Sequence, residues 1–345
     1  MQPKSDSSTA IQHLIMGPLR SDTIFLPDRR VYTGLLGGFL AYAAAGLKVW
    51  SRRPLGLISR IGKNFPQLLL DQLSHTGWNT QGIHILPESQ PVFGCYVVED
   101  EFAYREAEPL QEYAKLGLPC PPELRGFRSP VADEEDTTIL PAIAIRPGDV
   151  PGLYQGARMS LIGPCHLASQ ITLMVALRRM GITTIVLCPS ERIMAPQYLR
   201  DFRILLLDVD VLFVREASIL KLFRDETHEV RQMAEILASY GADIVILQRG
   251  MDGYSIYDSN AKRHRYIPAY PVNIRNPIGC GDAFCGGFLA DWQSSYDPVE
   301  SAMHGCVSAS MALEGMGAAF SLERNPLLAD ARLQSLRHLI PDKYG

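Results

Sequence analysis

Several things are missing from this 345-residue chain, and each absence narrows what it can be. Its cysteines number seven, an odd count, and none forms a Cys-x-x-Cys pair. They lie in apolar or glycine-rich segments, which suits reduced thiols in a cytosol rather than a disulfide framework. No basic block or aromatic-basic stripe is present, and 33 Lys and Arg against 37 Asp and Glu leave a net charge of −4. Binding to a phosphate backbone is therefore not expected, and nucleic acid is excluded as a partner. No apolar h-region opens the chain: Met1 to Ala10 is polar and reads as a short mobile tail. Cytoplasmic localisation is the expectation.

Uninterrupted membrane-length runs are lacking too. Thr33 to Val49 is rich in Gly and Ala, but it crosses Lys48 and is short for a span. Met159 to Leu177 has nineteen residues without Asp, Glu, Lys or Arg, yet Gly163, Pro164 and His166 divide it. That division predicts a buried strand (Met159 to Ile162) and a helix (Gln170 to Met180). No internal repeat is visible.

What is present is an alternation. Short apolar runs (Met159 to Ile162, Thr184 to Cys188, Ile204 to Leu207, Val211 to Val214, Ile244 to Leu247) are separated by helical patterns, notably Arg224 to Tyr240. Strands alternating with helices predict a mostly parallel sheet covered on both faces, with ligands at the carboxyl ends of the strands. A chain of this length buries a large core as one big α/β domain or as two. The stretch from about 83 to 150 differs: Val92 to Glu99 reads as part of a small open sheet. Pro119 to Pro151 is rich in Pro and acid (Asp133, Glu134, Glu135, Asp136) and long for a loop.

The most informative segment is Asn276-Pro277-Ile278-Gly279-Cys280-Gly281-Asp282-Ala283-Phe284-Cys285-Gly286-Gly287-Phe288. A run with β character, Tyr270 to Ile274, leads into a glycine-rich turn that ends in one carboxylate, and an apolar helix pattern follows. Such a turn converges backbone N–H groups at a helix N-terminus, where an anion is favoured. An acid there repels phosphate, but it is useful if it takes the proton of a hydroxyl attacking a phosphoryl group. The plainer reading is a turn whose Asp caps a helix.

At these residues the chain resembles the ribokinase, or PfkB, family of sugar and nucleoside kinases, whose signature reads D-T-x-G-A-G-D or N-P-T-G-A-G-D. The resemblance extends to Gly17 through Asp22 (the family's G-x-x-x-x-D), to Gly37-Gly38 through Leu47, and to the strand and turn from Leu57 to Pro66. It continues at Gln248-Arg249-Gly250-Met251-Asp252-Gly253, similar to the nucleotide-side turn, and at Val307 to Ala318, similar to the helix beside the adenine. It thus spans about residues 11 to 325. It implies a three-layer α/β/α kinase domain over 11–330, a C-terminal extension over 331–345, and a small β lid. Thr23 to Leu26, Val31 to Gly34 and Val92 to Val98 are the lid strands, in a lid spanning about 22–35 and 83–150. Lid strands often pair between protomers in this family, so a homodimer is an expectation as well.

The implied activity is phosphoryl transfer from ATP, with Mg²⁺, to a hydroxyl of a small sugar, sugar acid or nucleoside. Asp282 is then the general base, and the backbone N–H groups of Gly279, Cys280 and Gly281 form the anion hole. Cys280 stands where the family has Ala and reads as a small filler. Asp22, Gly37, Gly38 and Tyr42 fall at substrate-binding positions. Gln248, Gly250, Gly253, Arg215 and Ser308 fall on the nucleotide side.

Departures from the family pattern are equally plain. Arg215 and Ser218 replace the Asn and Glu of its magnesium-associated N-x-x-E, so the metal-holding residues are unassigned. Tyr42 replaces a substrate-contacting Asn, Asn64 an Asp, Gln248 a Thr, and Cys165 a sugar-binding Glu. Arg215 is expected either to contact the triphosphate directly, or to point to solvent or pair with Glu216 or Asp210. Two functional readings follow: an active kinase with a modified metal site, or a catalytically weak relative that binds nucleotide or a small ligand and acts through partners.

Overall fold

In the computed structural model, residues 10–101, 103–127, 139–224, 229–322 and 326–340 are described. The first third of the chain contributes β1 (His13–Met16), β2 (Arg20–Phe25), β3 (Val31–Gly37), α1 (Gly38–Lys48), β4 (Leu55–Gly62), α2 (Gln67–Ser74), β5 (Asn79–Leu86), β6 (Phe93–Val98), β7 (Tyr104–Glu106) and α3 (Pro109–Leu116). The middle supplies β8 (Met159–Ile162), α4 (Leu167–Arg179), β9 (Thr184–Leu187), α5 (Leu199–Leu205), β10 (Val211–Arg215), α6 (Glu216–Leu222), α7 (Val230–Ser239), β11 (Ile244–Gln248), β12 (Tyr254–Asp258) and β13 (Arg263–Ile267). Among the described residues four helices follow: α8 (Cys280–Ser295), α9 (Pro298–Leu313), α10 (Ala318–Leu322) and α11 (Pro326–Leu339).

Nine strands form the central sheet in the order β13-β12-β11-β10-β9-β8-β1-β4-β5. All pairings from β5 to β11 are parallel; β12 and β13 add antiparallel strands at one edge. This is the three-layer α/β arrangement expected. Alternate residues of the parallel strands feed opposite cores. Ile15, Leu57, Leu161 and Val186 point to one face, with α1, α8 and α9. Leu14, Met16, Ile58, Ile162 and Leu212 point to the other, with α4, α5 and α7. Burial on both faces is why these strands read as continuous apolar runs.

The expected small sheet is present, in the order β3-β2-β6-β7. It begins earlier than the sequence predicts, at Arg20, and it includes β7, which the sequence did not reveal. Three other expectations need correction. Ile204 to Leu207 is no strand but the end of α5 and the turn after it. Phe202, Leu205 and Leu206 are buried while Ile204 and Leu207 are exposed, a helical spacing. Among the described residues Tyr270 to Ile274 pairs with no strand; Pro268 just before it and Pro271 within it remove ladder donors. The helix expected from Gln170 starts at Leu167, where the His166 ring nitrogen Nδ1 accepts the Ala168 N–H at 3.3 Å.

The two membrane-length runs resolve as β3 with α1 and as β8 with α4. No helix among the described residues is long and apolar enough to cross a membrane. Met1 to Thr9, the acidic residues Asp133 to Asp136, and 341–345 lie outside the described residues. Residues 331–340 continue α11, which Arg332 ties to α9 and the turn after it through Ser310 Oγ and the Glu314 carboxylate, each at 2.9 Å.

Candidate active site

The carboxyl ends of β1, β8, β9, β10 and β11 open, together with the small sheet, into one cavity of about 1210 Å³. Such ends are where open α/β sheets take ligands. Of the residues singled out from sequence, Asp22, Gly38, Tyr42, Arg215, Gln248, Gly250, Gly279, Cys280, Gly281 and Asp282 line it.

The signature turn is built locally. Asn276 is fully buried, and its Oδ1 accepts the Ile278 N–H at 3.1 Å. Gly279 then takes φ +79°, a left-handed conformation that glycine adopts without a Cβ penalty. A Cβ there would also lie 2.3 Å from the Tyr42 ring, which packs under the turn. The first helical bond runs from Ala283 N–H to Gly279 O at 2.9 Å. The N–H groups of Cys280, Gly281 and Asp282 therefore have no partner in the preceding turn of helix, the condition for an anion site.

Helix α8 is held by close backbone packing on α1. A Cβ on Gly46 would sit 2.0 Å from Ala283 O, and one on Gly286 would sit 1.8 Å from Ala43 O. A stack of rings anchors the same helix, with Phe284 centred 4.0 Å from Tyr254 and 5.1 Å from Phe213. The backbone carrying Asp282 is thus fixed against the middle and last turn of α1, at Ala43 and Gly46.

Asp22 occupies a slot cut by glycines. Gly37 lies so close that a Cβ on it would be 1.8 Å from Asp22 Oδ2, and a Cβ on Gly94 would be 2.4 Å from Oδ1. Asp22 is fully buried; the Gly38 N–H donates to Oδ2 at 3.4 Å, while among the described residues Oδ1 has no hydrogen-bond partner. Burial raises its carboxyl to about 7 against the opposing pull of Arg20. Asp282, half-buried at the cavity wall, is raised to about 6 by burial, with Arg215 and Arg20 pulling the other way. Cys280 is pushed up to about 11 by burial, so its thiol stays protonated, in keeping with a filler role.

Three expected residues stand apart from the cavity. Gly37 backs Asp22 rather than facing the space. Gly253 packs under β13, where a Cβ would meet Ile267 O at 2.2 Å. Ser308 is turned into the helix packing: its hydroxyl donates to Gly46 O and accepts from Trp50 Nε1, both at 2.9 Å. Cys306, Ala309 and Ser310 of α9 line the cavity instead.

Arg215 pairs with neither Glu216 nor Asp210. Glu216 holds Arg249 at 2.6 Å and Asp210 holds Arg178 at 2.7 Å. Arg215 pairs with Glu191, from the turn after β9, at 2.8 Å, and the same Glu191 oxygen accepts the Ser218 hydroxyl at 2.5 Å. A carboxylate from another loop thus sits against position 218, where the sequence has lost one. Sequence reasoning also missed Arg20, whose Nη1 donates to the Tyr96 hydroxyl at 3.1 Å and lies 3.7 Å from Glu106. One signal was available for Arg20: two residues before Asp22 on a strand, it shares Asp22's face. Nothing local marked Glu191.

With this geometry in hand, residues 156–325 match the model for the pfkB family carbohydrate kinases. That segment is a pfkB-family carbohydrate kinase domain. It contains β8 to β13 of the central sheet, the Gly279 turn, and helices α8 and α9. A cytidine kinase of Thermococcus kodakarensis is 27% identical over 288 residues, covering 81% of this chain and 87% of its own. Among solved structures, a Burkholderia thailandensis nucleoside kinase in complex with inosine superposes with a TM-score of 0.67 at 16% identity, covering 95% of this chain and all (100%) of that one. A candidate ribokinase II from E. coli, solved with ATP and Mg²⁺, gives a TM-score of 0.67 at 16% identity over 94% of this chain and 99% of that one. At that identity the two structures speak for the ribokinase-like fold of the kinase domain and its small sheet.

Proposed function

We propose that the chain transfers the γ-phosphoryl group of ATP to a hydroxyl of a sugar or nucleoside. The observation that carries this reading is the convergence of two carboxylates, Asp22 and Asp282, on one cavity that extends to the Gly250 turn. In this reading the buried Asp22 accepts hydrogen bonds from acceptor hydroxyls, and its partnerless Oδ1 is the group that gains most from them. The reacting hydroxyl lies against Asp282. Its oxygen forms the new bond to the γ-phosphorus as the bond to the bridging oxygen of ADP breaks, and its proton passes to the Asp282 carboxylate. The N–H groups at the start of α8 hold the charge on the transferred group. The nucleotide lies toward Arg215, Gln248 and Gly250.

Mg²⁺ with a nucleotide needs only one or two carboxylates, the rest of its shell being water and phosphate oxygens. Glu191, with one oxygen committed to Arg215 and Ser218, fits that requirement beside Asp282 and Glu216 on the same cavity. When bound, the ion neutralises the phosphates. The similarity to a cytidine kinase supports counting nucleosides beside sugars as acceptors.

The test is an ADP-release screen over sugars and nucleosides with Mg²⁺. Acceptor-dependent ADP formation is expected; nucleotide binding without turnover on any acceptor would favour the catalytically weak alternative.

A further inference from the structure

We infer that Arg20 reads the base of a nucleoside acceptor and selects a pyrimidine edge carrying two adjacent hydrogen-bond acceptors, as cytosine presents in N3 and its 2-carbonyl. The inference rests on the reading of this cavity as the acceptor site.

Arg20 and Asp22 stand at alternate positions of β2, and both line the cavity. Alternate residues on a strand share a face and stand about 7 Å apart. In the inferred pose a ribose held at Asp22 carries its base toward Arg20, with the sugar-side edge nearest.

The guanidinium is underused. Of its five donors, one serves the Tyr96 hydroxyl, and the contact with Glu106 is long at 3.7 Å. Among the described residues, Nε and Nη2 make no hydrogen bond. These two nitrogens form a planar fork that matches a pair of neighbouring acceptors.

The charge around Arg20 decides which kind of acceptor pair fits. Asp22, Glu106 and Asp282 all act on this side of the cavity. They repel a carboxylate or phosphate brought to the fork, whereas a neutral base edge carries acceptors without that cost. Tyr96 and Tyr104, packed edge to face at 5.8 Å, add flat apolar walls beside it. The short span from Asp22 suits the N3 and 2-carbonyl pair of cytosine, which borders the glycosidic bond. Uracil fails because its N3–H sets a donor against a donor. The acceptor pair of guanine, O6 and N7, lies farther from the sugar.

Calorimetric titration of the full chain without nucleotide tests this directly, with cytidine, uridine, 3-deazacytidine and guanosine as probes. Cytidine is expected to bind at least about 10-fold tighter than the other three, the loss of a charged hydrogen bond being worth that much. In Arg20→Ala and in Arg20→Lys, which keeps the charge but not the fork, the preference for cytidine over uridine should fall close to one. Equal binding of cytidine and 3-deazacytidine by the unaltered protein, a preference for guanosine, no cytidine binding, or a preference that survives both substitutions would each overturn the inference. If Arg20→Ala does not fold, the lysine variant and the 3-deazacytidine comparison still decide. Turnover is read separately by ADP release. Cytidine bound but never phosphorylated counts against the kinase reading alone, and a sugar phosphorylated with no affinity for cytidine counts against the base selection alone.

Discussion

Arg215 and Glu191 face each other at 2.8 Å across the ends of β10 and β9. The pair brings a carboxylate to the place where the family's magnesium-associated acid would stand, and it holds the guanidinium that replaces the family's Asn. Glu191→Gln should raise the free Mg²⁺ needed for half-maximal activity by about 10- to 100-fold, the usual effect of losing a group that supports a metal. Arg215→Ala should weaken ATP binding. Titrations of activity against free Mg²⁺ and of nucleotide affinity check both. An unchanged Mg²⁺ profile in the first variant would remove Glu191 from the metal site.

The pH profile has a definite sign. Asp282, raised to about 6, becomes a competent base only as it loses its proton, so kcat should climb through pH 6 and level off above 7. Acceptor binding should strengthen further near pH 7, where Asp22 ionises. Because both carboxyls are raised in the folded state, the stability they contribute is present at low pH and is lost as pH rises through 6 to 7. Asp282→Asn should therefore raise the Tm at pH 8 relative to the unaltered protein. A fall in Tm there would contradict the assigned shift.

Contact between helices α1 and α8 makes a sharper stability prediction. Gly286→Ala drives a methyl group to within 1.8 Å of the Ala43 carbonyl oxygen, where backbone has to move. The cost should be at least about 1–3 kcal/mol, the range for overpacking a filled core. Urea denaturation measures it. Because α8 carries Asp282, activity in the folded variant should fall as well.

His13 predicts an acid-side weakness. It is buried in β1, neither ring nitrogen has a hydrogen-bond partner among the described residues, and burial lowers its pKa to about 4. The unfolded chain takes up this proton near pH 6.5, whereas the folded chain resists until about 4. Between those values the unfolded state binds more protons, so stability is lost as pH falls, by about 3 kcal/mol in full. The raised carboxyls act in the opposite direction, so the comparison that isolates His13 is the Tm difference between the unaltered protein and His13→Leu from pH 7 to 4.5. That difference should shift steadily in favour of the leucine variant.

Much of this was legible in the sequence, for a physical reason. Parallel strands buried on both faces, such as Met159 to Ile162 and Ile244 to Leu247, leave unbroken apolar runs. A left-handed turn at a helix start calls for glycine, as at Gly279. Ile204 to Leu207 misled because four apolar residues are too few to separate a period of 3.6 from one of 2. Tyr270 to Ile274 has strand-forming residues but no partner strand among the described residues, and partners are not local information. Ser308 sits on the expected helix, yet its face of that helix packs on Gly46 while Cys306, Ala309 and Ser310 face the cavity. Glu191 could not be found at all, since its meeting with Arg215 depends on how β9 and β10 align.

The measurement that bears most directly on the central claim is phosphoryl transfer by Asp282→Asn, run beside a nucleotide-binding titration on the same preparation. Asn keeps the volume and the turn but cannot take the hydroxyl proton. ADP formation with the best acceptor should fall by roughly 10²- to 10⁴-fold while nucleotide affinity stays within a few-fold. Full turnover in this variant would contradict the assignment of Asp282 as the base.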